Sequence, residues 1–183
     1  MGLLGSSFYT ENAWVPLENT ILMMNLDMVG RLKDGALTVS GTGTSSRWTS
    51  LLDSLEARYD FNMSRSADGF GPRDHASFYA KNIPVINFFT GLHDDYHRPG
   101  DTWEKLNYDG LAQITQLTEE VVRTVGNYSS RPDFVKVKTQ PKSGAMRFSV
   151  VMGIVPDYAD HPKGMKITGV REGRPAAEAG ILA

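Results

Sequence analysis

The stretch HDDYHRPGDT, residues 93–102, sets His93 and His97 among Asp94, Asp95 and Asp101. Imidazole nitrogens and carboxylate oxygens are ligands for zinc and other divalent ions, and the same groups relay protons. Three readings are open for this stretch: a metal site, a proton-transfer site, or a solvated acidic loop. A metal-bound imidazole needs its second N–H held by a carboxylate or carbonyl. Asp101 follows His97 by four residues across a Pro-Gly turn and could supply that group or hold the loop. His93 has no carboxylate at the same spacing, although Asp94 and Asp95 adjoin it.

Two further acids stand where chemistry is possible. Asp27 ends the apolar run of NTILMMNLDMVG. A carboxylate at the end of a buried strand is costly unless it is paired or binds a cation. Asp74 and His75 lie in RDHASF at a loop–helix junction, where Asp74 suits an N-cap. SGTGTSS, residues 40–46, lacks both the Lys-Ser/Thr ending of a phosphate loop and Gly-x-Gly-x-x-Gly spacing, so it is set aside.

The elements around these residues alternate between strand and helix. The run from Ile21 to Leu26 is continuously apolar but for Asn25, which predicts a strand buried on both faces. GALTVSGTG predicts a second strand, and IPVINFFTG a strongly buried one over residues 83–89. Trp48, Leu51, Leu52, Leu55 and Tyr59 recur at helical spacing, with Ser45 or Ser46 as N-cap. Leu111, Ile114, Leu117, Val121, Val122 and Val125 predict a long amphipathic helix closed at Gly126-Asn127. This alternation is that of an α/β layered fold, in which ligands gather beyond the carboxyl ends of the strands. Asp27 and the 93–102 loop both fall at such ends.

Composition narrows the function classes. The chain has 183 residues, 40% hydrophobic and 22% charged, as in a globular protein. The formal net charge of −2 provides no basic field for nucleic acid. No apolar run reaches the ~20 residues of a membrane span. With no cysteine, a metal site must be built from His, Asp and Glu. Beyond Ser129 the chain turns polar, basic and proline-bearing. Residues 1–128 are therefore read as one unit, 129–144 as a linker, and 145–183 as the β-rich start of another module.

GLLGSSFYTEN, MMNLDMVGRL and RDHASFYAKNIPVINFFTGLHDDYHRPGDTWEKLN, with the helix that follows, resemble the C-terminal half of the di-zinc aminopeptidases, the group that includes bacterial leucyl aminopeptidases and the transferrin-receptor-like proteins. The likeness spans residues 2–128, and three motifs, NLDM, DHASF and YHRPGDT, occur in the family's order. It implies a three-layer αβα sandwich and hydrolysis of N-terminal residues from peptides by metal-activated water. By position, Asp27 and His97 would each bind one of two zinc ions, and Tyr96 would stabilise the oxyanion. Asp74 would line the site and Asp101 would support it from behind. GMKITGVREGRPAAEAGI resembles the start of a PDZ domain, which implies a peptide-binding module and export to the periplasm or beyond a bacterial cell.

The family also uses an upstream His, a bridging Asp and a Glu-Glu pair placed just before GLLGS. Here Met1 stands in that place. The expectation is a polypeptide that carries one terminal ligand per zinc, binds the metal weakly and has little peptidase activity. The alternatives are a non-catalytic binding or scaffold relative on the same fold, and an enzyme of the glutaminyl cyclase type.

Overall fold

The computed structural model describes residues 3–138, 152–156 and 167–182. In chain order the main unit holds α1 (Leu4–Glu11), β1 (Met23–Asp27), β2 (Ala36–Ser40), α2 (Trp48–Glu56), β3 (Asn62–Ser66), α3 (His75–Tyr79), β4 (Val85–Phe89) and α4 (Tyr108–Gly126). The strands make one mixed sheet in the order β1-β4-β2-β3. β1 runs parallel to β4 and β2 parallel to β3, while β2 and β4 are antiparallel.

Side chains alternate across a strand, so β4 divides its residues between two faces. Ile86 and Phe88 join Leu37 and Val39 of β2 in one core, covered by Trp48, Leu51, Leu52 and Leu55 of α2 and Ile114, Leu117, Val121 and Val125 of α4. Val85 and Asn87 face the other way, toward the side on which α3 packs against β1 and β4 and α1 packs against α3. The result is helix, sheet, helix.

Several sequence expectations change. β1 is half-buried rather than buried on both faces, and Leu26 is 41% exposed. Among the described strands β1 pairs only with β4. Its Met24, with Ile21 and Leu22 before it, packs on the core, while its far edge has no partner among the described strands. Phe8, Trp14 and Val15, which precede this edge, are exposed too. β3 escaped the sequence reading because NMSRS carries no apolar alternation; it is held by its register with β2. In α4, Val122 turns to solvent at 56% exposure, so the apolar stripe is narrower than expected. Its N-cap is Asn107, whose side chain accepts from Gly110 N at 2.9 Å and donates to Leu32 O at 2.8 Å.

The turn that leads into α2 is held by a residue distant in sequence. Neither Ser45 nor Ser46 occupies the N-cap position, which falls to Arg47 without a side-chain bond. Asp133 instead accepts from Ser45 Oγ at 2.8 Å, Ser46 Oγ at 2.9 Å and Ser46 N at 3.1 Å. These bonds, the Ser45 hydroxyl first, hold the Asp133 carboxyl below the usual carboxylate range. Val135 N donates to Thr44 O at 2.8 Å and Val137 N to Tyr79 Oη at 2.8 Å, so this strap runs closely along the sheet unit. Asp133→Ala is expected to cost about 1 kcal/mol in urea unfolding, the usual net weight of a side-chain hydrogen bond. Because its pKa is lowered on folding, that contribution is present at neutral pH and is lost as pH falls through the lowered value.

In the tail, β5 (Ile154–Pro156) pairs antiparallel with β6 (Ile167–Val170), and α5 (Pro175–Glu178) follows. Arg171 reaches Asp68 at 3.0 Å and Lys136 reaches Glu172 at 2.7 Å. The remainder of the expected linker and of the PDZ-like stretch lies outside the described residues. No helix among the described residues is long and apolar enough to cross a membrane.

Candidate functional site

The parallel pairing of β1 with β4 brings the two sequence features together. Asp27, the last residue of β1, sits in register with Phe89, the last of β4, and the 93–102 loop leaves from the same edge. Two residues earlier, Asn25, Asn87 and Ser40 stand side by side across three strands. Asn25 Nδ2 donates to Asn87 Oδ1 at 2.7 Å, and Asn87 Nδ2 to Ser40 Oγ at 3.0 Å. Asn87 is 1% exposed, so this polar row is buried and satisfied, as a buried amide requires.

Asp27 finds its counter-charge in Arg73. Arg73 Nε donates to Asp27 Oδ2, and the guanidinium lies over the Phe89 ring, 4.2 Å from its centroid. Arg73 is 46 residues from Asp27, and no local spacing announces the pair. Asp74 holds the N-cap position of α3 as expected, yet its side chain makes no capping bond there. His75 is 1% exposed, and neither ring nitrogen is hydrogen-bonded among the described residues. Burial first, and the Arg73 charge second, push its pKa down to about 4, so the imidazole is neutral at pH 7.

The 93–102 loop is a series of tight turns. Tyr96 N donates to His93 O, Arg98 N to Asp95 O and Asp101 N to Arg98 O. His97 has φ 55, the left-handed region, an uncommon conformation for a residue with a Cβ. Its ring stacks on that of Tyr96 with centroids 4.0 Å apart, and Tyr96 is 44% exposed.

Asp101 was expected behind His97, but it is engaged elsewhere. It accepts from Arg31 Nη2 at 2.6 Å and lies 3.9 Å from His93 Nε2. Arg31 also reaches Asp95 at 3.4 Å, and Lys105 bonds the other oxygen of Asp95 at 2.6 Å. The Lys105 bond is the first cause of an Asp95 carboxyl lying below its ordinary range. His93, expected to be a plain loop residue, is therefore tucked against this ion network, with its side chain 17% exposed. Arg31, likewise unannounced by local spacing, joins the turn after β1 to the loop after β4. Thr90 Oγ1 donating to Met28 O, and Asn107 N donating to Gly30 O at 2.9 Å, add two more ties.

The donor types here suit zinc; their arrangement does not yet hold one. The Asp27 carboxylate is bound by Arg73, and among the described residues no three His, Asp or Glu side chains are grouped to hold a metal ion. Structural and catalytic zinc sites use three or four protein ligands.

The sequence profile of peptidase family M28 matches residues 1–122. Among solved structures, an aminopeptidase from Aneurinibacillus sp. strain AM-1 is 26% identical, with a TM-score of 0.54 over 78% of this chain and 33% of that one. BSAP, a zinc aminopeptidase from Bacillus subtilis, is 29% identical, with a TM-score of 0.55 over 71% of this chain and 34% of that one. The LapA aminopeptidase of Legionella pneumophila, at 19% identity, shares the fold with a TM-score of 0.56 over 70% of this chain and 37% of that one. The chain thus spans about a third of the length of the structures it matches. No curated protein sequence matches it significantly.

Proposed function

The chain belongs to peptidase family M28, and from that premise we propose that it supplies one wall of the active site of a zinc-dependent aminopeptidase acting on the N-termini of peptides. The observation that carries this is the meeting of Asp27 and the His97 loop at the carboxyl ends of two neighbouring parallel strands, within the residues the family profile matches. Support for zinc comes from a related structure described as a zinc aminopeptidase.

In this reading Asp27 and His97 are the metal-contacting residues, one for each of two zinc ions. Tyr96, 44% exposed, would donate a hydrogen bond from its hydroxyl to a carbonyl oxygen that gains negative charge, the interaction that lowers the barrier to acyl transfer. Asp101 acts through Arg31 on the placement of the loop, and Asp74 borders the site beside Arg73. The tail is a PDZ-type module that receives extended peptide; an antiparallel strand pair followed by a short helix with Pro at its start agrees with that. A periplasmic or extracellular setting in a bacterium goes with this tail.

The purified 183-residue chain is expected to bind Zn2+ weakly and to release little product from aminoacyl anilides. Zinc uptake, followed by calorimetric titration, should fall in both Asp27→Asn and His97→Ala. Uptake unchanged by both substitutions removes the ligand assignment. Brisk turnover that a chelator abolishes removes the expectation of weak activity. A second reading, a non-catalytic binding or scaffold domain on the same fold, is favoured by one observation, the hold of Arg73 on Asp27. Zinc uptake that depends on Asp27 argues against it.

A further inference from the structure

Gly169 stands inside the short strand β6. Glycine weakens a strand unless another group must come close to its backbone. The φ of Gly169 lies outside the left-handed region, so conformation alone does not call for glycine. Space does: a Cβ here would lie 2.5 Å from Phe70 Cζ, in the loop between β3 and α3. Toward β5 the same Cβ would meet Val155 Cβ at 3.6 Å, an ordinary contact. Phe70 is itself held from behind. Its ring meets that of Tyr79 edge-on at 4.7 Å, and Tyr79 lies 5.4 Å from Phe134 of the strap. Phe70 N donates to Asp68 Oδ1 at 2.9 Å, and the other oxygen of Asp68 accepts from Arg171 Nη1, just past β6, at 3.0 Å. One carboxylate thus ties the loop to the tail. The Arg171 and Asp68 side chains are 31% and 23% exposed, which shields their bond partly from water. Lys136 and Glu172, at 54% and 40%, form a surface pair that marks the seam and adds little.

We infer that the tail is a fixed clamp, seated through Gly169 on Phe70 and through Arg171 on Asp68, that holds the loop of residues 67–74 against the sheet unit. Modules of one chain move relative to each other unless apolar packing joins them. Here the backbone of β6 lies on an aromatic cluster that the loop, α3 and the strap build together. The loop ends in Arg73 and Asp74, which border the proposed site, so the tail steadies that border from outside. The seating itself does not depend on what the site binds or hydrolyses.

The test is amide hydrogen exchange of the whole chain, which reads local opening residue by residue. Exchange at residue 70 should rise at least tenfold in Gly169→Val and in Arg171→Ala, while amides of β4 and α4 keep their parental rates. In a Phe70→Ala background, Gly169→Val should add no further rise, because the ring that valine would strike is gone. An effect of Gly169→Val that is equal in both backgrounds places its origin within β6 and overturns the seating. Parental exchange at residue 70 in both single variants overturns the clamp. A second measurement needs no variant. NMR relaxation of the parent should show the amides of β6 tumbling with those of β4, and a carbodiimide should join Lys136 to Glu172, whose charged groups lie 2.7 Å apart. A tail that tumbles on its own overturns the proposal even if Gly169→Val does not fold. None of these readings involves metal or peptidase activity, so their failure leaves the proposed function standing.

Discussion

Replacing Trp48 by alanine is expected to lower the stability of the chain by about 3–5 kcal/mol, the range for deleting a fully buried aromatic side chain. Trp48 is 0% exposed and lies in the core between β2, β4, α2 and α4. Its indole N–H donates to Thr44 Oγ1 at 3.1 Å, which also accepts from Val85 N at 2.9 Å and lies 2.7 Å from Gly41 O and 3.0 Å from Val85 O. A hydroxyl has two acceptor positions and one donor, so Thr44 is fully used. The alanine variant loses packing and one partner of this hub together. Trp48→Phe keeps most of the volume and should cost far less. Urea unfolding followed by far-ultraviolet circular dichroism measures both, because each substitution removes the buried tryptophan and leaves Trp14 and Trp103, 96% and 69% exposed, as the remaining emitters. A loss below about 1 kcal/mol, within the spread of ordinary substitutions, would show that α2 does not unfold with the sheet.

The second large effect is acid sensitivity from His75. Its folded pKa of about 4 lies below the ordinary 6.5, so between these values the unfolded chain takes up a proton that the folded chain refuses. The stability it contributes is fully present above pH 6.5 and falls as pH drops toward 4, by a total of about 3 kcal/mol. Its ring nitrogens have no hydrogen-bond partner among the described residues, so an apolar replacement orphans none of them. His75→Leu should therefore keep near-parental stability at pH 7 and flatten the profile between 6.5 and 4. Carboxyls with lowered pKa, such as Asp133, act at still lower pH and leave this window to His75. Denaturation midpoints that fall equally in parent and variant across that window would remove His75 as the cause.

Residue pattern alone determined much of this protein. The alternation of strand and helix, the buried run ending at Phe89 and the helical stripe through Ile114, Leu117, Val121 and Val125 were legible because burial imposes a period on local sequence. NLDM and YHRPGDT marked the carboxyl ends of strands, and with DHASF they marked the family, since the residue types that do chemistry are few and their order is kept along the chain. What the sequence left open was pairing. Which side chain lies against Asp27, which neighbour Asp101 serves, and which residue holds the turn before α2 were decided by Arg73, Arg31 and Asp133, at separations of 46, 70 and 88 residues. No local period records such partners. β1 as an edge and β3 as a strand were likewise decided by which strands lie beside them, not by their own residues. Charge compensation and sheet order are properties of the assembled fold, because each depends on groups brought together only when the whole chain is in place.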